Sequence, residues 1–173
     1  MKIKKKFPMI LTYSNFIIGS SIIMLGFWVN NVELIVKVSS GLIMLSAILD
    51  RYDGFFARKF NVESNFGKEM DSFADFICFG IAPVIIIWKL HLIIMGIYGF
   101  VPVLTFITCS ATRLARYNIS QDNYYTGIPT TVAGFFLAIL NLLSYLLLDS
   151  IILTNFYPVF FSMIIIILAL GMI

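Results

Sequence analysis

The sequence predicts an all-α bundle of six membrane-crossing helices. Three observations carry this. Of 173 residues, 60% are hydrophobic and only 12% are charged, about half the charged share of an ordinary soluble domain. Mean hydropathy is +0.97. Apolar runs of roughly 18 to 22 residues recur along the chain, the length that crosses a hydrocarbon core. Polar breaks separate these runs at Asn30-Asn31, at 61–68, at Lys89-Leu90-His91, at 118–126 and at Asp149-Ser150. No Pro/Gly/Ser linker or internal repeat divides the chain, so residues 1–173 read as one transmembrane domain.

The first span, 9–28, follows the basic start Lys2, Lys4, Lys5, Lys6 and ends at Trp28. No small-residue cleavage site follows the basic start, so we expect no cleaved signal peptide. The second span, 35–57, is apolar until its last turns, where acids and arginines appear. The third and fourth, 71–88 and 92–112, are expected to turn at Lys89-Leu90-His91. The fifth and sixth are 128–148 and 154–173. The last apolar run reaches Ile173, which leaves a continuation open.

Orientation follows from Lys and Arg. With the N-terminus in the cytoplasm, Lys2, Lys4, Lys5, Lys6, Arg51, Arg58, Lys59, Lys68, Arg113 and Arg116 fall inside, and only Lys37 and Lys89 fall outside. Trp28 and Trp88 then sit at the outer interface. Cys78 and Cys109 lack CxxC spacing and read as packing residues. His91, the single histidine, reads as a solvated or interfacial residue of a short loop.

Most of the acids gather in one place. Asp50, Asp53, Gly54 and Ala57 share a stripe at the inner end of the second span, and Asp71 and Asp75 are i, i+4 on the next. A short linker makes the two helices antiparallel neighbours, so four carboxyls converge at one depth. Such a cluster repels itself unless some groups stay protonated or a cation joins them. Hard divalent cations accept oxygen ligands, and a pair of them clamps displacement at phosphorus. Gly54 and Ala57 leave room for a ligand between the helices, Gly67 would let the loop backbone come close, and Arg58 lies where it can pair with a phosphate. The plainer account is a set of ion pairs with Arg51, Arg58 or Arg113.

These residues match a known pattern. Asp50, Asp53, Gly54, Ala57, Arg58, Gly67, Asp71 and Asp75 occupy every fixed position of D-x2-D-G-x2-A-R-x8-G-x3-D-x3-D. The chain therefore resembles the CDP-alcohol phosphotransferases. Arg113-Leu114-Ala115-Arg116-Tyr117-Asn118 and Gly127-Ile128-Pro129 resemble segments of the membrane-embedded phosphatidylserine synthase branch of that family. The resemblance implies transfer of a phosphatidyl group from CDP-diacylglycerol to L-serine, with CMP released, by a homodimer using two divalent cations, Mg²⁺ or Mn²⁺. It implies that Asp50, Asp53, Asp71 and Asp75 hold the metals and that Asp75 is also the general base. Gly54, Ala57, Arg58, Gly67 and Asn15 would seat the nucleotide and its phosphates.

Arg113 and Arg116 have two readings: binding of the serine carboxylate or a phosphate, and positive-inside topology with snorkelling. Tyr124 and Tyr125 either cap the site or belong to an aromatic belt. Gly127, Pro129 and Gly134 suggest a broken or closely packed start to the fifth span, with ligand contact as the other reading. Ser46, Ser72 and Thr112 either line the cavity or bond a carbonyl one turn back. Glycerol phosphate or inositol phosphate as acceptor, and an ether lipid as donor, stay open. A divalent-cation transporter is a rival from another class, but its acids should continue across the bilayer. Here only Glu33 and Asp149 lie near the outer ends.

Overall fold

The computed structural model describes residues 2–60, 64–119, 127–147 and 156–173. Tyr124, Tyr125, Asp149 and Ser150 lie outside the described residues. Every regular element among those described is helical.

Helix α1, Lys2–Trp28, buries Pro8, Thr12, Asn15, Gly19, Ile22 and Gly26. Steps of three and four residues put these on one stripe, which packs along α2, Val32–Phe60. Asn31 caps α2 by accepting the Leu34 N–H at 3.1 Å. Glu33 and Lys37 form an exposed i, i+4 ion pair at 2.6 Å, the kind that contributes little.

Helix α3, Asn65–Asp75, opens at Ser64, whose Oγ accepts the Gly67 N–H at 3.0 Å. It runs on without a turn. The winding widens to π over Phe76–Ile81, returns to α in α4, Ala82–Ile87, and widens again over Trp88–Leu92. A 3-10 stretch, Ile93–Gly99, follows, and Gly96 turns the chain with φ 57°. That left-handed value suits a residue without Cβ. Helix α5, Phe100–Ile119, then departs, followed by α6, Thr130–Leu147, and α7, Phe156–Gly171.

The break expected at Lys89-Leu90-His91 is therefore absent, and the turn lies at Gly96. Lys89 needs no loop, because its ammonium donates to the carbonyls of Gly26 and Val29 at the end of α1. His91 is not a solvated loop residue either. It hydrogen-bonds Asn141 Oδ1 at 3.0 Å and stacks on Phe161 at 4.5 Å between ring centroids. Gly67 sits in the first turn of α3 rather than in a loop.

The long bent helix is the middle layer. Ile22, Ile35, Ile43, Phe79, Ala82, Ile86 and Ala138 form one core between it, α1, α2 and α6. Val84, Phe106, Leu137, Phe161 and Ile165 belong to a second core, against α5, α6 and α7. Two glycines allow close backbone approach to the π-wound stretch. A Cβ on Gly19 of α1 would lie 2.8 Å from Cys78 Cα, and one on Gly134 of α6 would lie 2.5 Å from Phe79 O.

Among the described residues, three helical stretches are long and apolar enough to cross a membrane: Pro8–Trp28, Val32–Phe60 and Asn65–Ile119. The third is 55 residues long and is folded at Gly96. Thr130–Leu146 and Tyr157–Gly171 are shorter apolar helices. The chain reads as an integral membrane protein.

Candidate metal centre and substrate site

Asp50 and Asp53 lie in the last turns of α2, and Asp71 and Asp75 lie along α3. The α2–α3 connection brings the two helix ends side by side. One carboxylate oxygen from each of Asp50, Asp53 and Asp71 lies within 4.8 Å of the other two. Asp75 follows one turn beyond Asp71 on α3.

Two full charges 4.8 Å apart repel by about 3.5 kcal/mol at an effective dielectric of about 20. That is too much to leave uncompensated several times over in one site. Among the described residues, none of the four acids is ion-paired with Arg51 or Arg58, so those pairs do not account for the cluster. Oxygens on opposite sides of one Mg²⁺ sit about 4.2 Å apart, twice its bond of about 2.1 Å. The spread of up to 4.8 Å is of that order. Asp71 Oδ1 and Asp75 Oδ1 are also buried without a hydrogen-bond partner. Buried lone pairs of this kind require a partner, and a hard cation supplies one. The residues fit a divalent metal.

Helix α1 closes the site from the third side. Thr12 Oγ1 donates to Asp53 Oδ2 at 3.2 Å and shares that proton with Pro8 O. Asp53 is the most enclosed of the four by surface, at 4% exposure. Sequence reasoning missed Thr12, because nothing in its local pattern marks a contact 41 residues away. The contact follows only from the shared stripe with Asn15.

Below the acids lies a polar layer. Ser46 Oγ donates to Asn15 Oδ1 at 2.9 Å and accepts from the Cys78 thiol at 3.0 Å. Asn15 is 1% exposed, and its Nδ2 has no partner. Ser46 therefore bonds a side chain on another helix instead of a carbonyl one turn back. Ser72 does likewise, donating to Asn118 Oδ1 at 3.0 Å, whereas Thr112 bonds Thr108 O in its own helix. Cys78 and Cys109 are both buried free thiols.

Space remains beside the acids. A Cβ on Gly54 would meet nothing nearer than Arg58 Nη1 at 3.7 Å, so the exposed Arg58 guanidinium lies over that glycine. Ala57 is half-buried beside them. The backbone N–H of Gly67 serves the α3 cap.

Arg113 and Arg116 project from the same end of the bundle. Arg113 Nη1 donates to Thr130 Oγ1 at 3.3 Å, and Arg116 Nη1 to Ile173 O at 3.4 Å. Their corner is completed by 127–130 and the end of α7, joined by Ile128 N–H to Gly171 O at 2.7 Å. Gly127 has φ 97°, and Gly134 packs on Phe79, as expected for a closely packed entry to α6. Trp28 and Trp88 lie at the opposite end of the bundle, where Lys89 reaches the end of α1.

Comparison with known proteins is consistent with this arrangement. The family model described as CDP-alcohol phosphatidyltransferase matches residues 5–173. The CDP-diacylglycerol–serine O-phosphatidyltransferase of Bacillus subtilis (strain 168) is 35% identical over 136 residues, covering 78% of this chain and 74% of that protein. The protein of the same name from Helicobacter pylori (strain 26695) is 36% identical over 141 residues, 79% of this chain and 57% of its own length. The one from Methanocaldococcus jannaschii is 34% identical over 99 residues, 57% of this chain and 48% of its own. The chain thus spans less than two thirds of the latter two relatives.

Proposed function

We infer function from family: this chain belongs to the CDP-alcohol phosphatidyltransferases, and it transfers the phosphatidyl group of CDP-diacylglycerol to the hydroxyl of L-serine. The products are phosphatidylserine and CMP. The serine assignment draws on the activity for which relatives about 35% identical are named. The observation that carries the reaction class is the convergence of three carboxyls from two helices, Asp50, Asp53 and Asp71, with unpartnered buried oxygens on Asp71 and on Asp75 one turn further on.

In this reading Asp50, Asp53, Asp71 and Asp75 hold two divalent cations, Mg²⁺ or Mn²⁺, which would supply counter-charge for the diphosphate and for the departing CMP. The serine oxygen bonds to the lipid-proximal phosphorus as the bond from that phosphorus to the CMP oxygen breaks. Serine's proton goes to Asp75, because a neutral hydroxyl needs a base in hydrogen-bond reach. Asp75 suits that role by depth: it is the acid furthest along α3, against Asp50. Thr12 steadies Asp53. Gly54 and Ala57 admit the diphosphate between the helices, where Arg58 neutralises part of its charge. Gly67 and Asn15 complete the nucleotide seat. Arg113 and Arg116 receive the serine carboxylate or a phosphate. Holding both substrates at one spot supplies much of the rest.

Six membrane passes follow if the fold at Gly96 divides the 55-residue stretch and the two shorter apolar helices each cross. The Lys and Arg distribution then puts the N-terminus and the acids at the cytoplasmic face. There the acyl chains stay in lipid while nucleotide and serine arrive from water. We expect a homodimer in detergent.

The deciding experiment uses purified chain, CDP-diacylglycerol and serine, with CMP measured as each component is omitted. Glycerol phosphate and inositol phosphate run as alternative acceptors. Release of CMP with either of these and not with serine would keep the class and overturn the acceptor. Metal flux into proteoliposomes without CMP release would overturn both.

A further inference from the structure

Asp71 and Asp75 face Asp50 and Asp53 only at one rotation of α3 about its axis. That helix has 11 residues before its winding widens, and Ala74 is its one buried residue. Within these residues burial does little to fix the rotation, which is held from the far end by the buried Phe76–Ile81 winding that α3 continues into. A second grip comes from α5. Asn118 Nδ2 donates to Glu69 Oε2 at 3.1 Å, and Asn118 Oδ1 accepts from Ser72 Oγ at 3.0 Å. Glu69 and Ser72 are i, i+3 neighbours on one face. That face lies about a third of a turn round α3 from the Asp71/Asp75 face, at about 100° per residue. Beside it, Lys68 Nζ sits over the Tyr117 ring at 5.0 Å.

A carboxamide offers a donor and an acceptor side by side. Here it engages one acceptor and one donor, each on α3. A helix held on two faces about a third of a turn apart cannot roll without breaking one of them. Ser72 directly follows Asp71, so the grip acts within the acidic motif. Helix α5 also carries Arg113 and Arg116, so the same contact spaces the arginines from the acids.

We propose that Asn118 is a positioning residue: its carboxamide braces α5 against Ser72 and Glu69 and sets the rotation of α3 at which the four aspartates share divalent cations. This rests on the metal role proposed above. A merely structural polar contact would add stability and leave metal affinity alone. A brace changes metal affinity even in protein that stays folded.

The test measures Mn²⁺ binding by electron paramagnetic resonance on the purified full chain without CDP-diacylglycerol. Serine-dependent CMP release and the thermal midpoint are measured alongside. The variants are E69Q, N118A, N118D and the double change E69Q/N118D. E69Q should bind Mn²⁺ as the unchanged chain does, because the amide oxygen still accepts from Asn118. N118A should weaken binding by about fivefold, the scale of one ordinary hydrogen bond. N118D removes the donor and sets a carboxylate against Glu69, so it should weaken binding by about tenfold or more. In the double change the donor and acceptor exchange sides while Ser72 still donates, and affinity should return to within about twofold.

N118D binding Mn²⁺ as tightly as the unchanged chain would overturn the brace. A double change no better than N118D would do the same, and this pair decides the matter if N118A fails to extract as folded protein. An unchanged chain that binds no Mn²⁺ would overturn the metal reading itself and the brace with it.

Discussion

Gly19→Ala tests whether the seam between α1 and the π-wound stretch sets the geometry of the acids. The new Cβ would lie 2.8 Å from Cys78 Cα, 3.0 Å from its N and 3.1 Å from its Cβ. Ordinary contact begins near 3.4 Å, so one backbone must retreat by about 0.6 Å, and no side-chain rotation can absorb it. Overpacking of this kind costs about 1–3 kcal/mol, offset in part by the helix preference for Ala of about 0.5–1 kcal/mol. A net loss of about 1–2 kcal/mol should lower the thermal midpoint by about 2–8 °C. The larger effect falls on turnover. Cys78 is three residues after Asp75 and bonds Ser46, one turn before Asp50. A working constellation tolerates about 0.5 Å, so kcat should fall about tenfold or more. CMP release and the thermal midpoint in detergent are the assays. Gly41→Ala is the control, because nothing lies within 4 Å of its Cβ. If G19A matches G41A in both kcat and midpoint, the seam does not position the acids.

Four further outcomes are expected. Asp71→Asn and Asp75→Asn should each abolish CMP release while leaving extractable protein, and near-normal turnover by D75N would remove the base assignment. EDTA should stop the reaction and Mg²⁺ or Mn²⁺ restore it; activity that survives exhaustive chelation would contradict the metal centre. Arg113→Lys and Arg116→Lys should raise the KM for serine severalfold, whereas unchanged kinetics in both would leave only a topological role. Asn141→Leu deprives His91 of its partner and should lower stability by about 1 kcal/mol with kcat retained, since that pair lies far from the acids. A loss of kcat at full stability would refute that separation.

The acids and their helices were legible because two periodicities coincide: three- and four-residue steps on α2 and on α3. The chain was misread where hydropathy alone had to place a turn. Lys89 and His91 look like loop residues, yet both find partners inside the bundle, on α1 and on α6. Gly96, lying among isoleucines, gives no polar signal and carries the turn through its backbone. Gly67 reads as a loop position in the sequence, but Ser64 starts the helix ahead of it. The contacts of Thr12, Ser46 and Asn118 were out of reach for another reason. Each joins residues 31 to 49 positions apart, and only the packed arrangement decides which hydroxyls and amides meet.

The wide winding at Phe76–Ile81 has a consequence for how this chain tolerates change. An α-helix advances about 100° per residue. A π turn holds about one residue more than an α turn for about the same rotation, so deleting one residue there is absorbed by a return to ordinary winding, whereas adding one would swing Asp75 by about that angle relative to Ala82. Exchanges of one apolar side chain for another in the stretch need only fill similar volume. Gaining a single codon would turn the acidic face away from its counterpart while every motif letter stayed in place. In this segment, the number of residues is as much a part of the inherited active site as their kind.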